Sequence, residues 1–410
     1  MGHHGKVPRV LLVLPTSTYR ATDFIKAADS LGVEVAVASE EAVPLLPPDR
    51  QVLIDCSRPQ SSAQALADLA ATTPVDAIIP VDDVGVVVAA LAAQQLGLPH
   101  NPPEAAAATR NKVAMRRLLE TAEVAQPSFT LIGPNDDPDA MVNHLQYPLV
   151  VKPLSLSGSR GVIKVEKPED LLTTVERVRR IIATAGGNPN EPVLAERFLA
   201  GAEVSVEGML TNGRLTVLAI FDKPMQGNGP YFEETLFVTP SRHHPEIQDE
   251  LAAMTQRAVD AIGLQEGPIH AELRITEGRV RVIEVAARSI GGLCGRAMRF
   301  GLMGVSLEEL ILRQAIGQDL FKRLPEAAGV MMLPIKEAGY LRRVRGLDAA
   351  RAVPGITDVE ITATAGTYLD RVPESDRYLG FLYARGRRPQ DVEEALIRAA
   401  ALIEVEVTSA

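Results

Sequence analysis

Apolar and polar positions alternate in blocks through the first hundred residues. Residues 7–15, VPRVLLVLP, form an almost continuous apolar run, the pattern of a strand buried on both faces. Residues 24–32, FIKAADSLG, space their apolar positions three and four apart and stop at Gly32, which predicts an amphipathic helix with a glycine terminus. Residues 33–39 (VEVAVAS), 51–56 (QVLIDC) and 76–83 (DAIIPVDD) predict further strands, the last ending in acids before the helical run 84–97. Strands alternating with helices imply a parallel sheet covered on both faces. The pattern is Rossmann-like, yet the first turn, LPTSTYRA, lacks the glycines that let a backbone approach a pyrophosphate, so a dinucleotide site is a weak reading. Residues Thr16 to Tyr19 follow the first strand, where open α/β sheets bind ligands, and are candidates for touching one.

Residues 98–124 carry two adjacent prolines and then a helical pattern, a hinge into a second unit. From Ser128 to about Gly317 the pattern is strands, one long helix (168–186) and hairpins. Residues 326–344 open a last α+β unit, closed by the helix 388–403.

A chain of 410 residues exceeds one ordinary core and predicts about two to four domains. It is 46% hydrophobic, but no apolar run is long enough to span a bilayer, and its start shows no apolar signal region. The formal charge of −10 argues against nucleic acid or an anionic membrane as the main partner. Cys56 and Cys294 are far apart, which fits neither a disulfide framework nor a zinc site and agrees with a cytoplasmic location. His3 and His4 read as a terminal feature rather than a metal site.

Residues 150–162, VVKPLSLSGSRGV, run from a strand into a serine–glycine loop, with Lys152 at the strand's end. Small side chains and glycines leave backbone N–H groups free to converge on an anion, and a lysine adds charge, a combination suited to a triphosphate. The Walker order is absent, because this lysine precedes the glycines. Alone, the loop reads equally as a hairpin with a solvated lysine. Downstream, residues 191–208 place a strand, a short linker and a second strand. Backbone around Glu196 to Leu199 could hydrogen-bond a heterocycle edge, Phe198 and Leu199 could wall it, and Glu203 could hold ribose hydroxyls. Each of these is also an ordinary core or surface residue.

The strongest pair lies in residues 269–292, two strands around the turn Thr276–Gly278. With a loop of odd length Glu272 and Glu284 share a face; an even loop separates them. Facing carboxylates repel, and a divalent cation with a taste for hard oxygen, such as Mg²⁺, relieves the repulsion. Two separate surface acids are the alternative. Arg288, ahead of Gly291 and Gly292, is suited to developing negative charge at a phosphoryl or acyl centre. His270 shares a strand face with Glu272 and serves either substrate, phosphate or structure.

In this order, these residues resemble the ATP-grasp superfamily: Lys112 in TRNKVAMRRLLE, Lys152 in VVKP, the glycine-rich lid SLSGSRGV, the hinge LAERFLAGAEVSVEG, and the metal hairpin AELR…VIEVAARSIGG. The match spans about residues 105 to 318. The resemblance implies an α/β fold, α+β in its C-terminal half: a Rossmann-like unit (1–106), an ATP-grasp domain (107–318, lid about 127–198) and a C-terminal α+β domain (319–410). It also implies ATP held by Lys112 and Lys152, by the lid residues Ser157, Gly158, Ser159, Arg160 and Gly161, by Glu196, Arg197, Phe198 and Leu199 around the adenine, and by Glu203 on the ribose. Glu272 and Glu284 would bind Mg²⁺, with Mn²⁺ as a substitute. Arg288, with Lys152, Gly291 and Gly292, would serve the acyl-phosphate. Many members carry asparagine two residues after the second metal glutamate; here that position is Ala286, which puts the number of metal ions in doubt and keeps a weakened enzyme open.

Within the superfamily the chain is similar to the L-amino acid ligase group, on residues 221–245 and the C-terminal unit. That likeness implies a carboxylate–amine ligase acting on small acids and amines, amino acids among them, and admits a homodimer. Lys223, Tyr231, Glu233 and Glu234, with Arg242 for a carboxylate, are substrate candidates in that segment, which reads equally as a solvated loop. A carboxylase or formate-using relative and a non-catalytic ATP-binding protein are the competing expectations.

Overall fold

The apolar run Arg9–Leu14 becomes an inner strand of a four-stranded parallel sheet in the order Gln51–Leu53, Glu34–Ser39, Arg9–Leu14, Ala77–Pro80. Val10 to Val13 are fully buried, as an apolar run between two helical layers requires. The helix Ala21–Leu31 stops where Gly32 turns left-handed (φ 64°) and caps the carbonyls of Ala28 and Asp29. This is a computed structural model; it describes residues 7–408 except 16, 17, 19, 44, 45, 138–140 and 226–228. His3, His4, Thr16, Ser17 and Tyr19 lie outside the described residues.

The centre of the molecule is an eight-stranded sheet in the order Arg279–Ala286, Gly267–Thr276, Ala202–Thr211, Arg214–Asp222, Leu236–Thr239, Ala327–Leu333, Gly380–Gly386, Ile356–Ile361. Every pairing in it is antiparallel. Leu236–Thr239 pairs with Ala327–Leu333, so the last α+β segment continues the sheet of the preceding one instead of starting its own. The helix Pro389–Ala401 covers this end, and Tyr340–Arg345 belongs to a separate three-stranded sheet. One core joins the parts: Leu12 and Phe24 of the first unit share a buried cluster with Phe237, Cys294, Phe300, Leu310 and Phe381.

The segment that carries Lys152 folds as a four-stranded antiparallel sheet, Phe129–Ile132, Val193–Arg197, Leu149–Lys152, Ile163–Val165. The helix Leu171–Thr184 packs Leu171, Val175, Val178 and Ile182 onto Val151, Ile163 and Ala195. Residues 168–170, read from sequence as part of that helix, form a separate 3₁₀ turn. Among the described residues no helix is long and apolar enough to cross a membrane.

Candidate active site

The sheet carrying Lys152, the central sheet and the carboxyl ends of the N-terminal strands meet around a cavity of about 620 Å³. Lys112 is the first residue of the helix Lys112–Thr121, whose start is fixed by Asn111: its side-chain oxygen accepts from the N–H groups of Val113 and Ala114. From there Lys112 Nζ donates to the Leu156 carbonyl (2.7 Å) and stands 3.6 Å from Glu284 Oε1. Lys152 ends its strand, and its ammonium lies 2.7 Å from Glu196 Oε2. Glu196 also receives Arg116 Nε at 2.5 Å. Burial alone would raise the Glu196 carboxyl, but the charges of Arg116 and Lys152 overcome it and hold it down at about 2.

Glu196 therefore fixes Lys152 with its side chain. The N–H groups of Arg197 and Phe198 are taken by Ser128 and Pro148, and the Leu199 carbonyl accepts from Arg274. Those backbone groups, read from sequence as partners for a heterocycle, are engaged within the protein. The residues 196–199 nonetheless line the cavity, as do Ser157, Gly158 and Ser159; Arg160 instead points its Nε to the Glu374 carbonyl (2.9 Å).

The glutamate hairpin departs from the sequence expectation in a way that preserves its outcome. The turn has two residues, Glu277 and Gly278, both with positive φ (51° and 73°), between the paired residues Thr276 and Arg279. In that even register Glu272 would face Ile283 and the glutamates would sit on opposite faces. The ladder shifts between Glu272 and Leu273: Leu273 pairs with Val282, Glu272 with Glu284, and Ile283 is the extra residue. The bulge brings the two carboxylates onto one face. His270 pairs with Ala286 on the next rung but one.

Beside this pair lies a second ionic cluster. Lys223 Nζ contacts Glu203 (3.0 Å), Glu234 (2.5 Å) and Glu272 (2.9 Å). These three acids offer oxygens within 4.8 Å of one another, the geometry of a cation site. Glu203, expected on a ribose, also holds Arg274 (2.6 Å). Burial and the neighbouring acids push Glu234 up to about 8, against the pull of Lys223. His270 Nδ1 lies 2.5 Å from Glu207 Oε1; burial opposes its charge, but Glu207 and Glu272 raise it to about 9.

Arg288 donates to Asp83 Oδ2 (2.9 Å) and to its neighbour's carbonyl on Ser289. Burial works against its charge, and Asp83 more than compensates, so it stays a guanidinium. Gly292 is left-handed (φ 57°), and a Cβ there would meet the Phe381 ring at 3.1 Å, so glycine keeps the turn tight against the sheet. Arg242 is a correction. It is not among the residues lining the cavity; it pairs with Asp222 (3.3 Å) and with Glu393 (2.8 Å) of the C-terminal helix. Lys223, Tyr231, Glu233, Glu234, Thr18 and His270 do line the cavity.

Family models match three stretches of the chain: an ATP-grasp N-terminal domain over residues 25–100, an ATP-grasp domain over 145–297, and an L-amino acid ligase C-terminal domain over 331–408. The chain carries ATP-grasp domains. Among similar proteins, dapdiamide A synthase of Enterobacter agglomerans is 32% identical over 198 residues, 47% of this chain and 45% of that protein. Alanine–anticapsin ligase of Bacillus subtilis is 26% identical over 255 residues, 58% of this chain and 53% of that protein. The chain thus spans about half the length of these curated relatives. The crystal structure of an L-amino acid ligase from Bacillus licheniformis superposes with a TM-score of 0.80 at 22% identity, covering 99% of this chain and 100% of that one, which establishes a shared fold.

In this ATP-grasp chain several site residues carried no local signal. Arg116 and Glu196 are 80 positions apart, and Asp83 and Arg288 are 205 apart. Asp83 had a cue of its own, since it follows the carboxyl end of the strand Ala77–Pro80 in an open parallel sheet. Glu207 gave none: it reads as one more residue of a long strand, yet it is 1% exposed and holds both His270 and the Ile290 N–H.

Proposed function

We propose that the chain is an ATP-dependent carboxylate–amine ligase of amino-acid or dipeptide type, working through an acyl-phosphate. The observation that carries this reading is the convergence on one cavity of Lys112, Lys152, residues 157–159, Glu272, Glu284 and Arg288, which come from three separate stretches of sequence. The names of the relatives, a dapdiamide A synthase and an alanine–anticapsin ligase among them, support it. The working units of the reading are residues 1–106, an ATP-grasp domain 107–318 with its lid at about 127–198, and 319–410.

Lys112 and Lys152 hold the phosphates of ATP, and the small residues Ser157 to Ser159 lay backbone N–H groups over them. Phe198 and Leu199 wall the adenine. Glu272 and Glu284 suit Mg²⁺: both are hard carboxylates that oppose each other on one face, and they would hold the ion, with Ala286 offering no further side-chain oxygen. When bound, the ion screens the phosphate charge during transfer. The substrate carboxylate attacks the γ-phosphorus, ADP leaves, and the acyl-phosphate then loses phosphate to an attacking amine. Arg288, held by Asp83 and beside Gly291 and Gly292, faces the charge that develops at that centre. No side-chain nucleophile is needed; the protein contributes positioning and charge.

The test is ADP release measured against pairs of amino acids with mass detection of product. ADP release that depends on the amine and yields an amide supports the proposal. Dependence on bicarbonate or formate assigns the chain to the carboxylating or formylating relatives, and ATP binding without turnover on a broad panel assigns it to non-catalytic ones.

A further inference from the structure

We infer that Arg177, Glu374 and Tyr231 are positioning residues that hold the serine–glycine loop closed and couple its closure to the segment lining the substrate side of the cavity. This rests on the ligase reading above and adds to it a specific latch, built from three distant stretches of the chain.

The loop is pinned from outside by residues 373–376. Gly158 is left-handed (φ 63°), and a Cβ there would come within 2.9 Å of Asp376 Cβ, so only glycine permits this approach. The Gly161 N–H donates to the Pro373 carbonyl at 2.8 Å, and Arg160 Nε to the Glu374 carbonyl at 2.9 Å. On the inner side, Lys112 holds the loop at the Leu156 carbonyl. The loop is thus gripped between a phosphate lysine and the C-terminal segment.

Arg177 joins this grip to a third piece. It projects from the helix Leu171–Thr184, which packs on the strands flanking the loop. Its Nε and one terminal nitrogen reach Glu374 Oε1 at 2.8 and 2.5 Å, and its other terminal nitrogen donates to the Tyr231 hydroxyl at 2.6 Å. The guanidinium also lies over the Tyr231 ring, 5.1 Å from its centroid. Tyr231 bridges to Ile163, and the Lys164 N–H donates to the Pro230 carbonyl at 2.7 Å. Two residues on, Glu233 and Glu234 line the cavity.

The exposure of the pair is informative. The Arg177 and Glu374 side chains are 35% and 36% exposed. An ion pair this accessible to water is a weak tie, as a latch must be if it releases once per turnover. Its parts lie on three segments, so it forms only when the lid, the segment 229–234 and residues 373–376 are all in place. A closed loop keeps water off the acyl-phosphate. If water enters, its oxygen attacks the acyl carbon, the bond to the phosphate oxygen breaks, phosphate leaves with the electron pair, and the carboxylate returns with release of a proton. The net result is ATP hydrolysis without amide.

The test uses the full chain with Arg177→Ala, Glu374→Gln and the exchange Arg177→Glu/Glu374→Arg, read first by amide hydrogen exchange of residues 155–162 with and without ADP and Mg²⁺. We expect nucleotide to protect this loop in the wild type, protection to fall by roughly fivefold in each single variant, the span a lone exposed ion pair supports, and the exchange to restore part of it. In turnover, amide formed per ADP should fall in the single variants and recover in the exchange. Equal protection in wild type and single variants, or an unchanged amide-to-ADP ratio, overturns the latch. If ADP neither binds nor protects the wild type, the ligase reading itself fails, which is a distinct result.

Discussion

Two buried ionic clusters border the same cavity, one centred on an acid and the other on an ammonium. At one, a single acid, Glu196, serves two cations, Arg116 and Lys152. At the other, a single ammonium, Lys223, contacts three acids, Glu203, Glu234 and Glu272, while Arg274 also holds Glu203 and His270 also approaches Glu272. The first cluster has a surplus of cation, which attracts phosphate, whereas in the second Lys223, Arg274 and His270 share the acids. Under the proposed reading, the cation-rich cluster would face the phosphates and the glutamate hairpin beside the second cluster would face their counter-ion. The clusters separate two uses of a buried acid. Glu196 is saturated and positions a lysine, whereas Glu272 and Glu284 line the cavity and face each other across the hairpin.

The largest expected effect lies at the glutamate hairpin. Losing an outer partner of a metal ligand costs ~10–100-fold, so Glu284→Gln, which removes a ligand's charge, is expected to lower turnover by at least ~100-fold with the circular dichroism spectrum unchanged. Near-normal turnover would remove Glu284 from the metal site. On the cation-rich side, Glu196→Gln leaves Arg116 and Lys152 without their acid. Breaking a buried pair costs about 3–5 kcal/mol, and urea unfolding should show a loss of that order; a loss under about 1 kcal/mol would mean that the cluster is not a structural unit. Lys152→Ala, which removes a phosphate contact, should weaken ADP binding at least tenfold, about 1.4 kcal/mol. Unchanged affinity would return the loop to a plain hairpin.

The same cluster predicts a pH response. The Glu196 carboxyl is depressed from 4.5 to about 2 in the folded chain. Its stabilisation is therefore complete above about pH 4.5 and is lost as the pH falls from there toward 2. Unfolding free energies measured between pH 6 and pH 3 should fall less steeply in Glu196→Gln than in the wild type; parallel curves would refute the assignment. The smallest effect is expected at Arg242, which pairs with Asp222 and Glu393 outside the cavity. Arg242→Ala should change substrate KM by less than about twofold, as a change away from the site does. A tenfold rise would return it to the substrate site.

Much of this architecture was legible because it is written in local periodicity. The apolar runs at Arg9–Leu14 and Glu34–Ser39, the helix stop at Gly32 and the turn at Glu277–Gly278 each need only their neighbours. The bulge at Ile283 was not legible, since an extra residue in a ladder leaves no mark in an apolar–polar pattern. The expected odd-length turn was wrong, yet Glu272 and Glu284 still face each other, because the bulge supplies the shift that the turn lacks. Arg242 was misjudged for another reason. It is close in sequence to Tyr231 and Glu234, which line the cavity, but the strand Leu236–Thr239 carries the chain away toward the C-terminal helix before Arg242 is reached. Glu196 was read by its backbone, while its side chain, 2% exposed, turned out to anchor Lys152. Such pairings are set by the tertiary fold.

The central claim is that the two clusters border a single nucleotide site. Calorimetric titration of the full chain with ADP in the presence of Mg²⁺ tests it most directly. The account predicts one ADP per chain, with affinity that drops when Mg²⁺ is withheld. Absence of binding heat at every temperature tried, together with no thermal stabilisation by ADP, would contradict it.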